Sequence, residues 1–191
     1  MDPVFTLQWP EFLLAEQLQA TFPKAKNFSV LIPTSRQEKG IDLALVHKRP
    51  NAASRVALIQ VKASRTYTPK PPKRETTRHY KFHTWFNTFD PSDQADFFLL
   101  IGMYAPDFAR TKFITKEWYK DITLLFTYSE MKDFLENCKT VRGDKDGKFG
   151  FGFNDESKIE QTRGDQRREY RDYTSHLLIN RISDIEKFFN Q

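Results

Sequence analysis

Five short apolar runs, rich in β-forming residues and bounded by turn residues, limit what this chain can fold into. They read NFSVLIP from Asn27, GIDLALV from Gly40, VALIQVKA from Val56, DFFLLIGMY from Asp96 and ITLLFTY from Ile122. Runs of this length and composition are typical of β-strands. The turn sequence RPNAAS joins the second run to the third, so we expect these two to form an antiparallel hairpin. The sequence therefore predicts a central β-sheet.

Helical patterns flank these runs and make the predicted fold α/β. Residues Gln8 to Phe22 carry two apolar stripes on opposite sides, which predicts a well-buried helix that Pro23 ends. The stretch SEMKDFLENC predicts a second helix with Ser129 as its N-cap. We expect these helices to lie against the faces of a mixed sheet.

The last third of the chain is harder to interpret. KFGFGF from Lys148 alternates phenylalanine with glycine, which predicts a strand whose glycine face lies close to other backbone. The mixed charges from Asn154 to Thr174 favour a solvated, helical segment. The spacing of four apolar residues predicts a terminal amphipathic helix, with a shorter helix capped by Ser183 and Glu186 as the alternative. These four residues are Leu178, Ile182, Ile185 and Phe189.

Composition sets bounds on the class of protein. A chain of 191 residues with 39% hydrophobic and 15% aromatic residues is expected to fold as a single domain spanning residues 1–191. The single cysteine, Cys138, excludes an intramolecular disulfide and a thiolate zinc cluster. The longest apolar stretch is about half of the ~20 residues that a membrane-spanning helix needs. We therefore expect a soluble, cytoplasmic protein that does not insert into a membrane.

Polar side chains interrupt the third apolar run on one face. Side chains of a strand alternate, so Gln60 and Lys62 share a face while Ile59 and Val61 point to the other. Asp42, in the neighbouring run, should lie beside Gln60 and Lys62 if the two strands pair. Burying such groups without compensation is costly, which indicates a function for them.

The predicted first helix contributes a fourth polar residue. Glu16 falls within the stripe formed by Trp9, Phe12, Leu13 and Ala20, so its carboxylate is expected to point toward the interior. Glu11 lies on the same helix and is the alternative. Two carboxylates and an amide oxygen are hard ligands that suit Mg²⁺. A lysine beside a metal-bound water would orient that water or help to deprotonate it, which is the chemistry of phosphodiester hydrolysis.

The residues Glu16, then GID ending at Asp42, then IQVK with Gln60 and Lys62 resemble the PD-(D/E)XK nuclease superfamily in its Q-x-K form, as in Mrr-type restriction endonucleases. The resemblance covers about a third of the chain, from Phe12 to Ser64. Ile41 stands where the family commonly has proline, and Gln60 where an acidic residue is commoner.

The resemblance implies a restriction endonuclease-like three-layer core, in which helices flank a central mixed β-sheet. It implies metal-dependent cleavage of DNA, with Asp42 and Gln60 as ligands of Mg²⁺, Lys62 assisting the attacking water and Glu16 as a further ligand. Mn²⁺ is expected to substitute for Mg²⁺. Because one such site cuts one strand, a homodimer is the expected way to cut both strands.

A strongly basic segment follows the lysine. Between Lys62 and His83, seven Lys and Arg residues face one acid, Glu75, which gives a net charge of +6 against +5 for the whole chain. We expect this segment to contact DNA phosphates, with a solvated loop as the alternative. Its basic residues beyond Lys62 are Arg65, Lys70, Lys73, Arg74, Arg78 and Lys81.

Three functions are consistent with the sequence. The leading hypothesis is an endonuclease acting in restriction, phage defence or repair. The second is a catalytically inactive module on the same fold that binds nucleic acid. The third is a structural protein in which Asp42 and Lys62 form an ordinary salt bridge.

Overall fold

The five apolar runs all form strands, as the sequence predicts. The computed structural model describes residues 9–33, 40–68, 80–104, 120–154, 158–165 and 171–191. Its helices are α1 (Trp9–Thr21), α2 (Tyr128–Glu136) and α3 (Ile182–Asn190). Its strands are β1 (Phe28–Leu31), β2 (Leu43–His47), β3 (Arg55–Tyr67), β4 (Phe82–Asn87), β5 (Phe97–Tyr104), β6 (Lys120–Thr127), β7 (Lys148–Phe153) and β8 (Ile159–Arg163).

The long strand β3 joins the two parts of the sheet. Its first part pairs antiparallel with β2 and parallel with β5, and its last residues pair antiparallel with β4. One part of the sheet therefore runs β1-β2-β3-β5-β6, and the other continues from β3 through β4 and β7 to β8. All the pairings except β3 with β5 are antiparallel. The fold is mixed α/β, with a large and mainly antiparallel sheet flanked by helices.

The core forms two clusters on opposite faces of β2, β3, β5 and β6. Helices α1 and α3 pack on one face, and β4, β7 and α2 pack on the other. Strict alternation along β5 explains the division, since Phe97 and Leu99 belong to the first cluster while Phe98 and Leu100 belong to the second. Strands β5 and β6 thus carry core residues on both faces, whereas β2 and β3 contribute mainly to the first cluster.

The predicted burial of α1 is only half right. Leu14 and Leu18 are buried, but Trp9 is 57% exposed and Phe12 43% exposed. Since both stripes of this helix are apolar, periodicity alone does not decide which of them faces the core. The stripe that contains Glu16 is the outer one.

Strand β4 was not predicted. Its sequence FHTWFN alternates Phe82, Thr84 and Phe86 toward the core with exposed or half-buried residues, so the signal for a strand is present. The preceding basic stretch, which reads as a loop, obscured it.

Two further expectations are wrong in detail. Residues 159–163 form strand β8 where a helical segment was expected, because the buried side chains of Ile159, Glu160 and Gln161 complete the second part of the sheet. Helix α2 is capped by Thr127, two residues before the predicted Ser129. Thr127 and Glu130 form a reciprocal capping box.

The terminal helix α3 buries Ile185 and Phe189, as the apolar spacing predicts. It begins at Ile182 and is thus close in length to the shorter alternative, while Leu178 lies before it in a short 3-10 helix. The expected cap at Ser183 is wrong, because the N-cap position is Arg181 and has no side-chain capping hydrogen bond. Among the residues that the structure describes, no helix has the length and apolar character needed to span a membrane.

Candidate active site

Asp42 lies immediately before β2, beside the middle of β3. Leu43 pairs with Ile59, which aligns Asp42 with Gln60. The backbone N–H of Asp42 donates to the carbonyl of Ile59 at 2.9 Å, and its Oδ2 accepts the N–H of Val61 at 2.7 Å. The carboxylate is therefore held against β3 at the position where the sequence pattern predicts it.

Gln60 is buried on the face of β3 that α1 does not cover. Its side chain is 6% exposed, and Oε1 has no hydrogen-bond partner within the described part of the chain. Leaving a buried carbonyl oxygen unsatisfied costs about 1–3 kcal/mol. An unsatisfied amide oxygen aligned with a carboxylate is thus an arrangement that a bound cation would stabilise.

Gly40 lies at the turn into β2, next to Ser92 and Gln60. Its φ of +85° suits glycine, and a Cβ on it would lie 2.7 Å from Cβ of Ser92 and 3.4 Å from Nε2 of Gln60. The glycine of the GID motif thus lets the chain turn into β2 while Ser92 and Gln60 pack closely against it.

Lys62 is two residues beyond Gln60 and is half-buried. Its Nζ lies 4.7 Å from the centre of the Phe89 ring, a geometry in which the ring face attracts the ammonium group. The ring of Phe89 thus holds the charge of Lys62 on the side of β3 that also carries Gln60. The lysine is positioned by a ring, and no carboxylate among the described residues forms a salt bridge with it.

The loop of residues 88–96 forms one wall of this site. Asp96 anchors it to β3, because Oδ2 of Asp96 accepts the N–H of Leu58 and its N–H donates to the Leu58 carbonyl, both at 2.8 Å. The sequence analysis missed Phe89 and Ser92, since the loop has no periodic pattern. Their roles follow only from the tertiary structure.

The expected inward orientation of Glu16 is wrong. Its side chain is exposed, and α1 packs through Leu14 and Leu18 on the face of β2 and β3 opposite to Gln60 and Lys62. The alternative, Glu11, is half-buried on the same helix. A ligand role for Glu16 therefore lacks the burial from which it was predicted.

Part of the basic segment lies within the described residues. Arg65 near the end of β3 and Lys81 before β4 are both exposed, which is what binding to a phosphate requires. His83, at the end of this segment, lies on strand β4. Lys70, Lys73, Arg74 and Arg78 lie outside the described residues.

The residues present fit a hard divalent cation with few protein ligands. In the parts of the chain that are described, no three His, Cys, Asp or Glu side chains group in a way that could hold a metal. Asp42 and Gln60 supply one carboxylate oxygen and one amide oxygen. Mg²⁺ accepts such a site because it usually retains several waters and takes one or two carboxylates.

Comparisons with the models of known protein families, with curated proteins and with solved structures found no match for this chain.

Proposed function

We propose that this protein is a metal-dependent endonuclease that hydrolyses phosphodiester bonds of DNA. The observation that carries the proposal is the buried Oε1 of Gln60, which has no hydrogen-bond partner among the described residues, next to the aligned carboxylate of Asp42. These two oxygens would hold Mg²⁺, or Mn²⁺ in its place. When bound, the cation lowers the pKa of a coordinated water and stabilises negative charge on the attacked phosphate.

Lys62 would act on the reacting groups. Its ammonium group, held over Phe89, donates hydrogen bonds to the attacking water or to a phosphate oxygen. Attack by the water forms a new P–O bond, the bond to the leaving sugar oxygen breaks, and that oxygen takes up a proton. Exposed Arg65 and Lys81 provide charge that attracts the DNA backbone.

The topology also supports a restriction endonuclease-like core. Helix α1 precedes β1, β2 and β3 in the order of that core, and β3 is parallel to the next strand of its part of the sheet, β5. One feature differs from the pattern. Strand β4 lies between β3 and β5 in the chain, and the described residues of this connection contain no helix.

Cleavage of DNA by the purified protein tests the proposal. Wild type and Lys62→Ala are incubated with supercoiled, linear and branched DNA in Mg²⁺, Mn²⁺ or EDTA, and the products are separated on a gel. We expect cutting by wild type in either metal, none in EDTA, and a loss of roughly 10²- to 10⁴-fold in Lys62→Ala. Lys48→Ala, which removes a lysine after β2 and away from the site, is the matched control and should retain full activity.

The rival is a nuclease-fold module that binds nucleic acid without cutting it. It is favoured by the neutral Gln60, which lowers the negative charge of the site by one relative to a glutamate. DNA binding without cleavage of any substrate in either metal would overturn the nuclease proposal in favour of this module. Equal cleavage by wild type and Lys62→Ala would show that Lys62 does not take part in catalysis and that the assigned site is wrong.

A further inference from the structure

Exposed aromatic rings lie on the outer face of the second part of the sheet. Tyr67 at the end of β3 stacks on Trp85 of β4, with ring centres 5.3 Å apart and an angle of 25° between the rings. Tyr80 and His83 continue the row, with 5.6 Å between their ring centres. We call Tyr67, Tyr80, His83 and Trp85 the aromatic shelf. Tyr67 and Trp85 are each 46% exposed, which leaves ring surface free for a ligand.

Glycines of β7 form the floor of the shelf. Gly150 pairs with Trp85 and Gly152 with His83 across β4 and β7. A Cβ on Gly150 would lie 2.3 Å from the Trp85 ring, and one on Gly152 would lie 2.6 Å from the Tyr80 ring. The rings therefore lie close against the glycine backbone. The alternation in KFGFGF therefore places phenylalanine side chains in the core and glycines under the rings of the shelf, where a side chain would not fit.

The charges beside the shelf are mainly positive. Arg65 shares a face of β3 with Tyr67, and exposed Lys81 precedes β4. Neither side chain forms a salt bridge within the described part of the chain. The acid opposite Gly152, Glu160, accepts a hydrogen bond from the Tyr80 hydroxyl and pairs with Lys158 at 3.1 Å. A polyanion would therefore meet cations next to stacked rings.

His83 adds an uncharged ring to this surface. Burial lowers its pKa below the ordinary value of 6.5, so the imidazole is neutral at pH 7 and above. A neutral imidazole can stack on a base without the free-energy cost of removing a charged group from water.

Strand β3 carries both the shelf and the candidate active site. Because Tyr67 lies five residues beyond Lys62, its side chain is on the face of β3 opposite to Gln60 and Lys62. A nucleic acid held on the shelf therefore has to pass around the end or the edge of β3 to reach the site.

We propose that the aromatic shelf binds unpaired bases of a nucleic acid. This inference rests on the proposed nuclease function and adds that the substrate has a single-stranded portion. Bases paired within a duplex are already stacked on both sides, whereas unpaired bases offer free faces to aromatic rings. Stacking of this kind with basic residues alongside is how single strands are held without regard to sequence.

The test measures binding separately from cleavage. Fluorescence anisotropy in EDTA gives the Kd for oligo(dT), for oligo(rU) and for a blunt duplex of the same length. We expect Trp85→Ala and Tyr67→Ala each to weaken binding of oligo(dT) by roughly 5- to 100-fold, with little change for the duplex. Trp9→Ala removes a similarly exposed tryptophan on α1 and is the matched control, expected to bind as wild type.

Two further measurements keep the outcome clear. Trp85→Phe retains a ring over Gly150 and should recover most of the affinity, while thermal unfolding identifies any variant that fails to fold. Unchanged binding of oligo(dT) by folded Tyr67→Ala and folded Trp85→Ala would overturn the proposal, and so would an equal loss of duplex binding. Preference for oligo(rU) over oligo(dT) would assign the shelf to RNA.

Failure of this inference is distinguishable from failure of the nuclease proposal. If wild type cuts DNA but the shelf variants bind oligo(dT) normally, only the shelf is wrong. If wild type never cuts but the shelf variants lose binding, the shelf proposal holds and the protein is a binding module without nuclease activity.

Discussion

Gly40 stands two residues before Asp42, in a backbone conformation that residues with a side chain rarely adopt. We expect Gly40→Ala to lower the free energy of unfolding by at least about 1–2 kcal/mol, because a Cβ destabilises positive φ and would approach Ser92 to 2.7 Å. Urea denaturation measures the change.

Gly147→Ala provides the matched control for Gly40→Ala. A Cβ at Gly147 would meet nothing within 4 Å, so this substitution is expected to leave stability unchanged or to raise it slightly. Equal stability of the two variants would contradict the structural role assigned to Gly40.

At the same scale, sequence reasoning predicted how Asp42, Gln60 and Lys62 lie relative to one another. Alternation along β3 and pairing with β2 were sufficient to align Asp42 with Gln60 and to place Lys62 on the same face as Gln60. The inward placement of Glu16 was wrong, because α1 has two apolar stripes and only the packing of Leu14 and Leu18 selects between them. Phe89 meets Lys62 from a loop that no periodicity identifies.

Helices α2 and α3 are linked by charges near the start of each. Arg181 donates to Glu130 at 2.7 and 3.0 Å and to Asp184 at 2.8 Å. Burial raises the pKa of Glu130, but hydrogen bonds from Arg181 and Thr127 outweigh it, so the pKa lies below its ordinary value of 4.5. The hydrogen bond from Arg181 likewise lowers the pKa of Asp184 below 3.8.

These lowered pKa values predict the effect of acid on stability. Their contribution is complete above the unfolded values near 4.5 and 3.8 and is lost as the pH falls through the lower folded values. In Arg181→Met we expect lower stability at pH 7 and a smaller loss between pH 5 and pH 2, measured by chemical denaturation at each pH. Lys132→Met, on the exposed side of α2, should keep the wild-type pH profile, and a wild-type profile in Arg181→Met would refute this assignment.

The elements were predicted best where their side chains decide the structure locally. Strands β1, β2, β3, β5 and β6 follow from short apolar runs rich in β-forming residues, and β7 follows from its alternation. Strand β8 was missed because Glu160 and Gln161 are polar, and their burial depends on strands β4 and β7. The cap at Thr127 was misplaced because Ser129 offers an equally suitable hydroxyl.

The excess positive charge of the whole molecule lies between Lys62 and His83, from the second half of β3 to the start of β4. Because neutralised phosphates release counterions, we expect the affinity for DNA to fall steeply with salt concentration. Replacing Lys70, Lys73 and Arg74 together with alanine should weaken binding and make the slope of log K against log salt shallower. On duplex DNA the slope changes by about 0.9 for each phosphate that the variant no longer neutralises. Titrations at several salt concentrations give this slope.

Three lysines elsewhere provide the control for that slope. Lys24, Lys26 and Lys48 lie near β1 and the end of β2, and their joint replacement with alanine removes the same charge. Equal slopes for the two triple variants would show that total charge, and not the segment after β3, determines binding.

The central claim is that Asp42 and Gln60 hold a divalent cation, and thermal unfolding with and without Mg²⁺ tests it most directly because no DNA substrate needs to be known. At a Mg²⁺ concentration one hundred times its Kd, binding stabilises the folded state by about 2.7 kcal/mol, equivalent to a rise in Tm of roughly 5–10 °C for a domain of this size. We predict this rise for wild type and for Glu16→Gln, and its absence in Asp42→Ala and Gln60→Leu. No rise in wild type, or the same rise in Asp42→Ala, would contradict the account.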